Sequence, residues 1–173
     1  EILDQIAKFS PEMQQTKELT ELKATAEQKK RTDVGQPYIN ILQSDAEGQI
    51  VTLTSVIENP ANKYTLVDFW ASWCGPCRQE MPNVSKIYKK YHEAGLEIIG
   101  VSLDRKADEW AKALKEEKMA WPNIMDEQQQ IGARYFVRGI PHTILLDENN
   151  RILVKDLRGK ALEKKIAELL EGK

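Results

Sequence analysis

The sequence predicts an α/β fold with a central mixed β-sheet flanked by helices. Two nearly continuous apolar runs, Thr65–Trp70 and Leu96–Leu103, have the length and composition of parallel strands that are buried on both faces. Between them, Pro76–His92 repeats apolar residues at helical spacing, as expected of a crossover helix. Two further strand-like runs, Thr143–Leu146 and Ile152–Asp156, flank a polar turn. They predict an antiparallel hairpin, which makes the sheet mixed.

The chain begins with a predicted helical extension, residues 1–32. Ile2 and Ile6 recur at helical spacing, and Ser10 followed by Pro11 marks a fresh helix start. We therefore expect two helices, the second continuing to the end of the extension. Because this second helix is highly charged, it is either a solvated helix packed on one edge, the tail of an upstream domain, or a partner-binding arm.

We assign residues 33–173 to the main domain. The run Thr32–Pro37 links the extension to it. Tyr38–Leu42 and Gln49–Leu53 flank a polar, glycine-containing turn and predict an added N-terminal β-hairpin. Beyond the second buried strand, Lys106–Lys118 has the spacing of an amphipathic helix. A short extended segment and a small helix follow it, and a leucine-striped helix closes the chain.

The only two cysteines, Cys74 and Cys77, lie where strand Thr65–Trp70 is predicted to give way to the next helix. Residues at this spacing share one face of a helix, so their sulfurs are within reach of a disulfide. Cys74 falls at the helix start, where unpaired N–H groups and the helix dipole favour a reactive thiolate. Cys77 lies one turn further, and it can attack a mixed disulfide formed at Cys74.

A cysteine pair at this spacing has other interpretations. A structural zinc site needs about four ligands, and the chain adds only His92 and His142 to the pair. A purely structural disulfide is disfavoured, because closing so short a loop removes little chain entropy. We therefore predict a redox-active dithiol, which needs no metal or organic cofactor.

The run Val67–Cys77 reads VDFWASWCGPC and closely resembles the active-site strand and turn of thioredoxin. The continuation Arg78–Pro82 is more similar to the TlpA/ResA (AhpC/TSA-like) group, which are membrane-anchored, thioredoxin-like oxidoreductases of bacterial envelopes. The resemblance spans roughly residues 33–172. It implies a thioredoxin-like fold and thiol–disulfide exchange. The Gly–Pro pair inside the dithiol favours a reductant of protein disulfides.

Two carboxylates complete the predicted chemistry. Asp68 is the single charged residue of Thr65–Trp70, and burial raises the pKa of such a carboxyl. The matching aspartate of thioredoxin implies a proton relay to Cys77, and the alternative is a structural aspartate satisfied by backbone. The TlpA/ResA resemblance implies that Glu80 tunes the cysteines, and the alternative is an exposed helix residue. Thioredoxin carries a lysine at the place of Gly100, so its aspartate–lysine partnership is not carried over.

A second signature, Gly139–Ile140–Pro141, lies just before the terminal hairpin. In thioredoxin-like folds this Ile–Pro bond is cis and faces the dithiol, which implies that Ile140 and Pro141 contact the substrate backbone. The resemblance assigns substrate contact also to the residues around the first cysteine, namely Trp73, Gly75 and Pro76. His142 stands where thioredoxin has threonine, and it either perturbs Cys74 or points away from it.

Composition excludes several function classes. The formal net charge is −2, so there is no electrostatic case for nucleic acid, and no apolar run approaches membrane-spanning length. We predict disulfide-bonded protein substrates, a membrane-bound or soluble thiol electron donor, and no direct membrane insertion by this segment. The missing initiator methionine and the resemblance favour a processed periplasmic or cell-envelope protein, with a cytoplasmic thioredoxin as second hypothesis.

Two other function classes stay open. One is a thioredoxin-fold peroxidase-like protein. Such proteins carry a lone peroxidatic cysteine after proline and threonine, whereas here Ala71–Trp73 precedes a pair. The other is a non-enzymatic interaction module that works through the N-terminal helices.

Overall fold

A computed structural model describes residues 1–172 of the chain. Its helices are α1 (Ile2–Ile6), α2 (Pro11–Gln14), α3 (Lys17–Lys30), α4 (Leu53–Ile57), α5 (Gly75–Tyr91), α6 (Ala107–Glu117), α7 (Gln130–Arg134) and α8 (Gly159–Glu171). Its strands are β1 (Leu42–Ser44), β2 (Ile50–Thr52), β3 (Tyr64–Trp70), β4 (Leu96–Ser102), β5 (Asn123–Met125), β6 (His142–Leu146) and β7 (Ile152–Lys155). Lys173, the last residue of the predicted main domain, lies outside the described residues.

Strand β3 occupies the centre of a five-stranded sheet with the order β5-β4-β3-β6-β7. It pairs in parallel with β4 and antiparallel with β6, so the sheet is mixed, as predicted. β1 and β2 form the added antiparallel hairpin as a separate two-stranded sheet. All residues of β3 and β4 are buried, which explains why their sequences are nearly continuous apolar runs.

The sheet separates two hydrophobic clusters. Because side chains alternate along a strand, Leu66 and Trp70 of β3 face the cluster that contains Cys77 and is covered by α5, α6 and α8. Val67 and Phe69 face the opposite cluster, which α4 and α7 cover. The dithiol therefore belongs to one defined face of the sheet.

The N-terminal extension contains three helices, so the prediction of two was wrong. The predicted start at Ser10 is present, and its Oγ accepts a hydrogen bond from Met13 N at 3.3 Å. The helix then stops at Gln14 because Thr16 takes an extended backbone, with φ −62° and ψ 148°. The Thr16 hydroxyl donates to the Met13 carbonyl at 2.8 Å, a local bond that competes with the helical ladder.

The extension is attached to the main domain by a few specific contacts. The Gln28 side-chain amide donates to the Arg134 carbonyl. Lys155 Nζ donates to the Thr32 carbonyl at 2.8 Å. The Gln28 bond holds α3 beside the end of α7, and residues of α3 and α7 line one cleft together with Arg138, just before the predicted substrate loop.

Candidate active site

Cys74 is the N-cap residue of α5, and Cys77 follows one turn later. The two cysteines form a disulfide, with their Cα atoms 5.2 Å apart. The backbone N–H of Cys77 donates to Cys74 Sγ, with a donor–acceptor distance of 3.3 Å. A backbone N–H aimed at this sulfur, together with the helix dipole, stabilises negative charge on Cys74 once the disulfide is reduced.

The two cysteines differ in exposure. Cys77 is 1% exposed and packs within the core, whereas Cys74 is 5% exposed and lies at the surface end of the helix. Its neighbour Trp73 is 63% exposed, and Gly75 and Pro76 are exposed as well. Cys74 is therefore the more exposed of the two cysteines, in a surrounding of exposed backbone and one large aromatic ring.

The loop before Cys74 is held by a buried carboxylate that sequence reasoning missed. Ser72 donates twice to Asp104, from its backbone N at 2.9 Å and from Oγ at 2.6 Å. Ser102 Oγ donates to the same carboxylate at 2.6 Å. One signal in the sequence could have identified Asp104: it is a charged residue directly after the apolar run Leu96–Leu103. Because the carboxyl ends of parallel strands meet at the same edge of a sheet, such a residue lies close to the loop that follows β3.

Arg78 is a second residue that the sequence did not single out. Its guanidinium donates to the Ser72 carbonyl at 3.2 Å and forms an ion pair with Glu116 at 2.7 Å. It also pairs with Glu117. These contacts tie the first turn of α5 to the end of α6, and they fix the loop that carries the dithiol.

Asp68 lies in β3 between Leu66 and Trp70, on the face that packs against Cys77, and it is 4% exposed. Burial, and secondly the negative charge of Glu80, raise the pKa of Asp68 to about 7. A carboxyl with this pKa exchanges protons readily at neutral pH.

The register places Gly100 directly opposite Asp68 on the neighbouring strand. A Cβ atom on Gly100 would lie only 2.0 Å from Asn123 Oδ1. The space that a larger side chain would need at this position is therefore already filled by Asn123, and a lysine does not fit beside Asp68.

Glu80 is half-buried and is held by two donors, so it is not simply an exposed helix residue. Its Oε1 accepts hydrogen bonds from the Gly159 backbone N and from Asn83 Nδ2, both at 2.7 Å. Glu80 thereby fastens the start of α8 to α5. It also supplies the negative charge that contributes to the raised pKa of Asp68.

The Ile140–Pro141 peptide bond is cis. Strand β6 begins at His142, which lies opposite Phe69 near the end of β3. Pro141 therefore lies at the same end of the sheet as the loop that leads to Cys74. Ile140 packs against the cluster that contains both cysteines.

His142 points away from Cys74, the second of the two predicted arrangements. Its ring lies 5.9 Å from that of Phe69, on the sheet face opposite the dithiol. Its Nδ1 lies 2.5 Å from Asp156 Oδ1. Burial lowers the pKa of His142 more than the nearby carboxylate raises it. This histidine thus lies at the start of β6, directly after the cis Ile140–Pro141 bond, and does not face the sulfurs of Cys74 and Cys77.

A family comparison decides where the chain belongs. The AhpC/TSA family model matches residues 34–155, which is most of the chain and contains the dithiol. The chain belongs to the AhpC/TSA family. Within the described part of the chain, no helix is both long and apolar enough to cross a membrane. No group of three or more potential metal-ligating side chains was found in residues 1–172.

Similar proteins define the activity of this AhpC/TSA family member. It is 26% identical over 141 residues to the thiol-disulfide oxidoreductase ResA of Bacillus thuringiensis subsp. konkukian, covering 82% of this chain and 79% of that protein. It is 30% identical over 139 residues to ResA of Geobacillus thermodenitrificans, with coverages of 80% and 77%.

Solved structures agree with these relatives. The thioredoxin domain of a thiol-disulfide oxidoreductase from Bacteroides vulgatus superposes with a TM-score of 0.73 at 33% identity, covering 80% of this chain and 98% of that one. A thiol:disulfide interchange protein from Bacteroides sp. gives 0.73 at 34% identity, with coverages of 81% and 91%. The chain thus has a thioredoxin-like fold and is a TlpA/ResA-like thiol-disulfide oxidoreductase, an enzyme with a CxxC cysteine pair.

Proposed function

We propose that this oxidoreductase works as a reductant of protein disulfides, with Cys74 as nucleophile and Cys77 as resolving cysteine. The observation that carries the proposal is the position of Cys74. Its sulfur lies at the N-terminus of α5 and accepts the Cys77 N–H, and Cys74 is the more exposed residue of the pair. Both the electrostatics and the access favour attack by Cys74.

The proposed reaction has two exchange steps. The Cys74 thiolate attacks one sulfur of the substrate disulfide, which forms a mixed disulfide and releases the other substrate sulfur as a thiolate. Cys77 then loses its proton and attacks Cys74 Sγ, which releases the second substrate thiol and forms the Cys74–Cys77 disulfide. Two electrons pass from the protein dithiol to the substrate disulfide, and an external thiol donor restores the dithiol.

We assign the proton transfer to Asp68. Its carboxyl lies on the sheet face that packs against Cys77, and its pKa of about 7 matches an operating pH near neutrality. Asp68 accepts the Cys77 proton during resolution and returns it on reversal. Glu80 tunes this step, because its negative charge helps to raise the pKa of Asp68.

Substrate contact is assigned to the surface around Cys74. Trp73, Gly75 and Pro76 are exposed beside the sulfur, and the half-buried pair Ile140 and Pro141 lies at the same end of the sheet. An extended substrate segment placed here can pair with loop backbone while its disulfide reaches Cys74.

We further propose that the main domain, residues 33–173, carries out this reaction in the periplasm or cell envelope. Disulfide-bonded proteins are its substrates, and a membrane-bound or soluble thiol is its electron donor. The TlpA/ResA resemblance supports this setting. Fractionation of cells that express the tagged full-length gene product tests it, and recovery of all the protein in the cytoplasm would refute it.

An assay with two substrates tests the activity. The protein should accelerate the reduction of insulin by dithiothreitol, and Cys74→Ser should abolish the acceleration. Consumption of hydrogen peroxide should stay at the background rate. Rapid peroxide consumption without insulin reduction would favour the peroxidase-like alternative. Inactivity in both assays would favour a non-enzymatic interaction module.

A further inference from the structure

A surface groove runs from the active site towards the N-terminal extension. Beside Trp73 lies a cleft of about 340 Å³ whose lining includes Leu103, Arg105 and Gln129. A second cleft of about 410 Å³ is also lined by Leu103 and Gln129, and it continues to Arg138. Because the two clefts share these lining residues, they form one continuous surface, which we call the Trp73 groove.

Helix α3 of the extension forms one wall of the Trp73 groove. Ala24, Thr25 and Gln28 line its far part. The Gln28 amide donates to the Arg134 carbonyl, which holds α3 against the end of α7. This wall is uncharged, so the charge of the groove comes from the residues of the main domain.

The lining of the Trp73 groove carries an excess of positive charge, although the chain as a whole has a formal net charge of −2. Lys106 is compensated by Glu109 at 2.8 Å. Within residues 1–172, Arg105 and Arg138 form no ion pair with a carboxylate. Both are exposed, and the Arg138 guanidinium lies 4.2 Å from the centre of the Phe136 ring. Two guanidinium groups thus remain available in a groove that begins beside the reactive cysteine.

We propose that the Trp73 groove binds an extended, carboxylate-bearing segment that flanks the target disulfide of a substrate protein. The inference rests on the proposed reduction of protein disulfides. A protein that places its disulfide at Cys74 must lay the adjoining chain across the surface around Trp73, where the groove begins. Guanidinium groups bind carboxylates through paired, charge-assisted hydrogen bonds, so Arg105 and Arg138 select substrates with acidic residues on this side.

Matched peptides test the proposal. Two peptides share one intramolecular disulfide, and the segment on one side of it is rich either in glutamate or in glutamine. The reduced protein is mixed with each peptide under single-turnover conditions, and its oxidation is monitored by tryptophan fluorescence. At low salt we expect the glutamate peptide to react roughly tenfold faster, and we expect salt to reduce this preference.

Charge-reversal variants test whether Arg105 and Arg138 cause the preference for the glutamate peptide. Arg105→Glu and Arg138→Glu should each weaken the preference for the glutamate peptide, and the double variant should abolish it. Lys23→Glu is the matched control, because Lys23 is an exposed cation of α3 outside the groove lining, and it should leave the preference unchanged. Equal rates of the wild-type protein with both peptides, or a preference that survives the double variant, would overturn the proposal.

Two further measurements separate this inference from the activity itself. The uncharged disulfide of 2-mercaptoethanol should react equally fast with the wild-type protein and the double variant, because it does not reach the groove. A cysteine-free glutamate peptide should bind the oxidised wild-type protein and lose that binding in the double variant. If the peptide binds in this pattern while no disulfide is reduced, the proposed reductase activity is wrong and the proposed binding by the Trp73 groove is supported. If disulfides are reduced while the peptide does not bind, only the proposed binding by the Trp73 groove is wrong.

Discussion

Asp68 is the residue whose ionisation links the proposed proton transfer to the stability of the fold. Its pKa rises from 3.8 to about 7 in the folded protein, chiefly because it is buried. The folded state therefore binds more protons than the unfolded state between these pH values. Because stability falls with pH wherever the folded state binds more protons, this carboxyl destabilises the fold as the pH rises from about 4 to about 7.

Asp68→Asn keeps the shape of the side chain and removes the titration. We expect resolution of the mixed disulfide to slow by roughly 10²-fold, the typical effect of losing a general base. The variant should also gain stability over the wild-type protein across the same pH window. The gain should reach about 4 kcal/mol near pH 7 and fall below about 1 kcal/mol near pH 4. Stopped-flow kinetics and urea unfolding at several pH values measure both effects.

Unchanged resolution kinetics combined with lower stability in Asp68→Asn would identify Asp68 as a structural residue. Glu80→Gln is the informative companion variant, because it keeps the oxygen that accepts from Gly159 and Asn83. It removes the negative charge that helps to raise the pKa of Asp68. Its pH–rate profile should therefore shift to lower pH.

Cys74 should be the more reactive thiol of the reduced protein. Its sulfur faces the Cys77 N–H at the start of α5, whereas Cys77 is enclosed by the core. Brief alkylation with iodoacetamide at mildly acidic pH, followed by peptide mass spectrometry, should find the label on Cys74. Preferential labelling of Cys77 would contradict the assignment of the nucleophile.

Strand β4 owes its close packing with β5 to a glycine. A Cβ atom on Gly100 would lie 2.0 Å from Asn123 Oδ1, and Asn123 is held in place because its Nδ2 donates to the Trp121 carbonyl at 2.7 Å. We expect Gly100→Ala to lower the free energy of unfolding by about 1–3 kcal/mol through overpacking. In an Asn123→Ala background the same change should cost much less. Urea unfolding measures the loss of unfolding free energy in both backgrounds. Equal losses would show that the clash with Asn123 does not cause the destabilisation.

The elements closest to the sequence expectation are those whose burial is uniform. The bounds of β3, β4 and α5 lie within a residue or two of the predicted runs. Burial on both faces gives the two strands a continuous apolar run, and burial along one side gives the helix apolar residues at helical spacing. The start of the small helix α7 was harder to predict. The sequence predicts only that a small helix follows the short extended segment, and this helix begins at Gln130, after Gln129 takes a left-handed backbone with φ 55°. Nothing in the local sequence marks a glutamine for that conformation.

The candidate site also contains residues that the sequence reveals and residues that it does not. The dithiol and Asp68 stand out locally, because two cysteines share one turn and one carboxylate interrupts an apolar run. Asp104 and Arg78 do not stand out, since their roles depend on partners more than 30 residues away, as in the bond from Ser72 to Asp104. Such partners become visible only when the sheet edge and the helix ends are placed together.

The whole molecule combines a main domain with a helical extension whose contacts to it are few. Ile6 is the one buried residue of segment 1–31, and its helix α1 packs mainly against α3 of the same extension. Removal of residues 1–31 should therefore leave a folded domain of modestly lower stability. Its rate with the uncharged disulfide of 2-mercaptoethanol should not change. Circular dichroism, urea unfolding and that rate test the expectation. A truncated chain that fails to fold would show that residues 1–31 belong to the same folding unit as the rest of the chain.

The central claim is that Cys74 attacks the substrate and Cys77 resolves the intermediate. Trapping of the mixed disulfide tests it most directly, because a variant without the resolving cysteine cannot complete the exchange. Reduced Cys77→Ser and Cys74→Ser proteins are each mixed with a disulfide-bonded peptide, and the products are mapped by mass spectrometry without reductant. The proposed mechanism predicts a stable one-to-one adduct on Cys74 in Cys77→Ser and little adduct in Cys74→Ser. An adduct that forms mainly on Cys77 would contradict it.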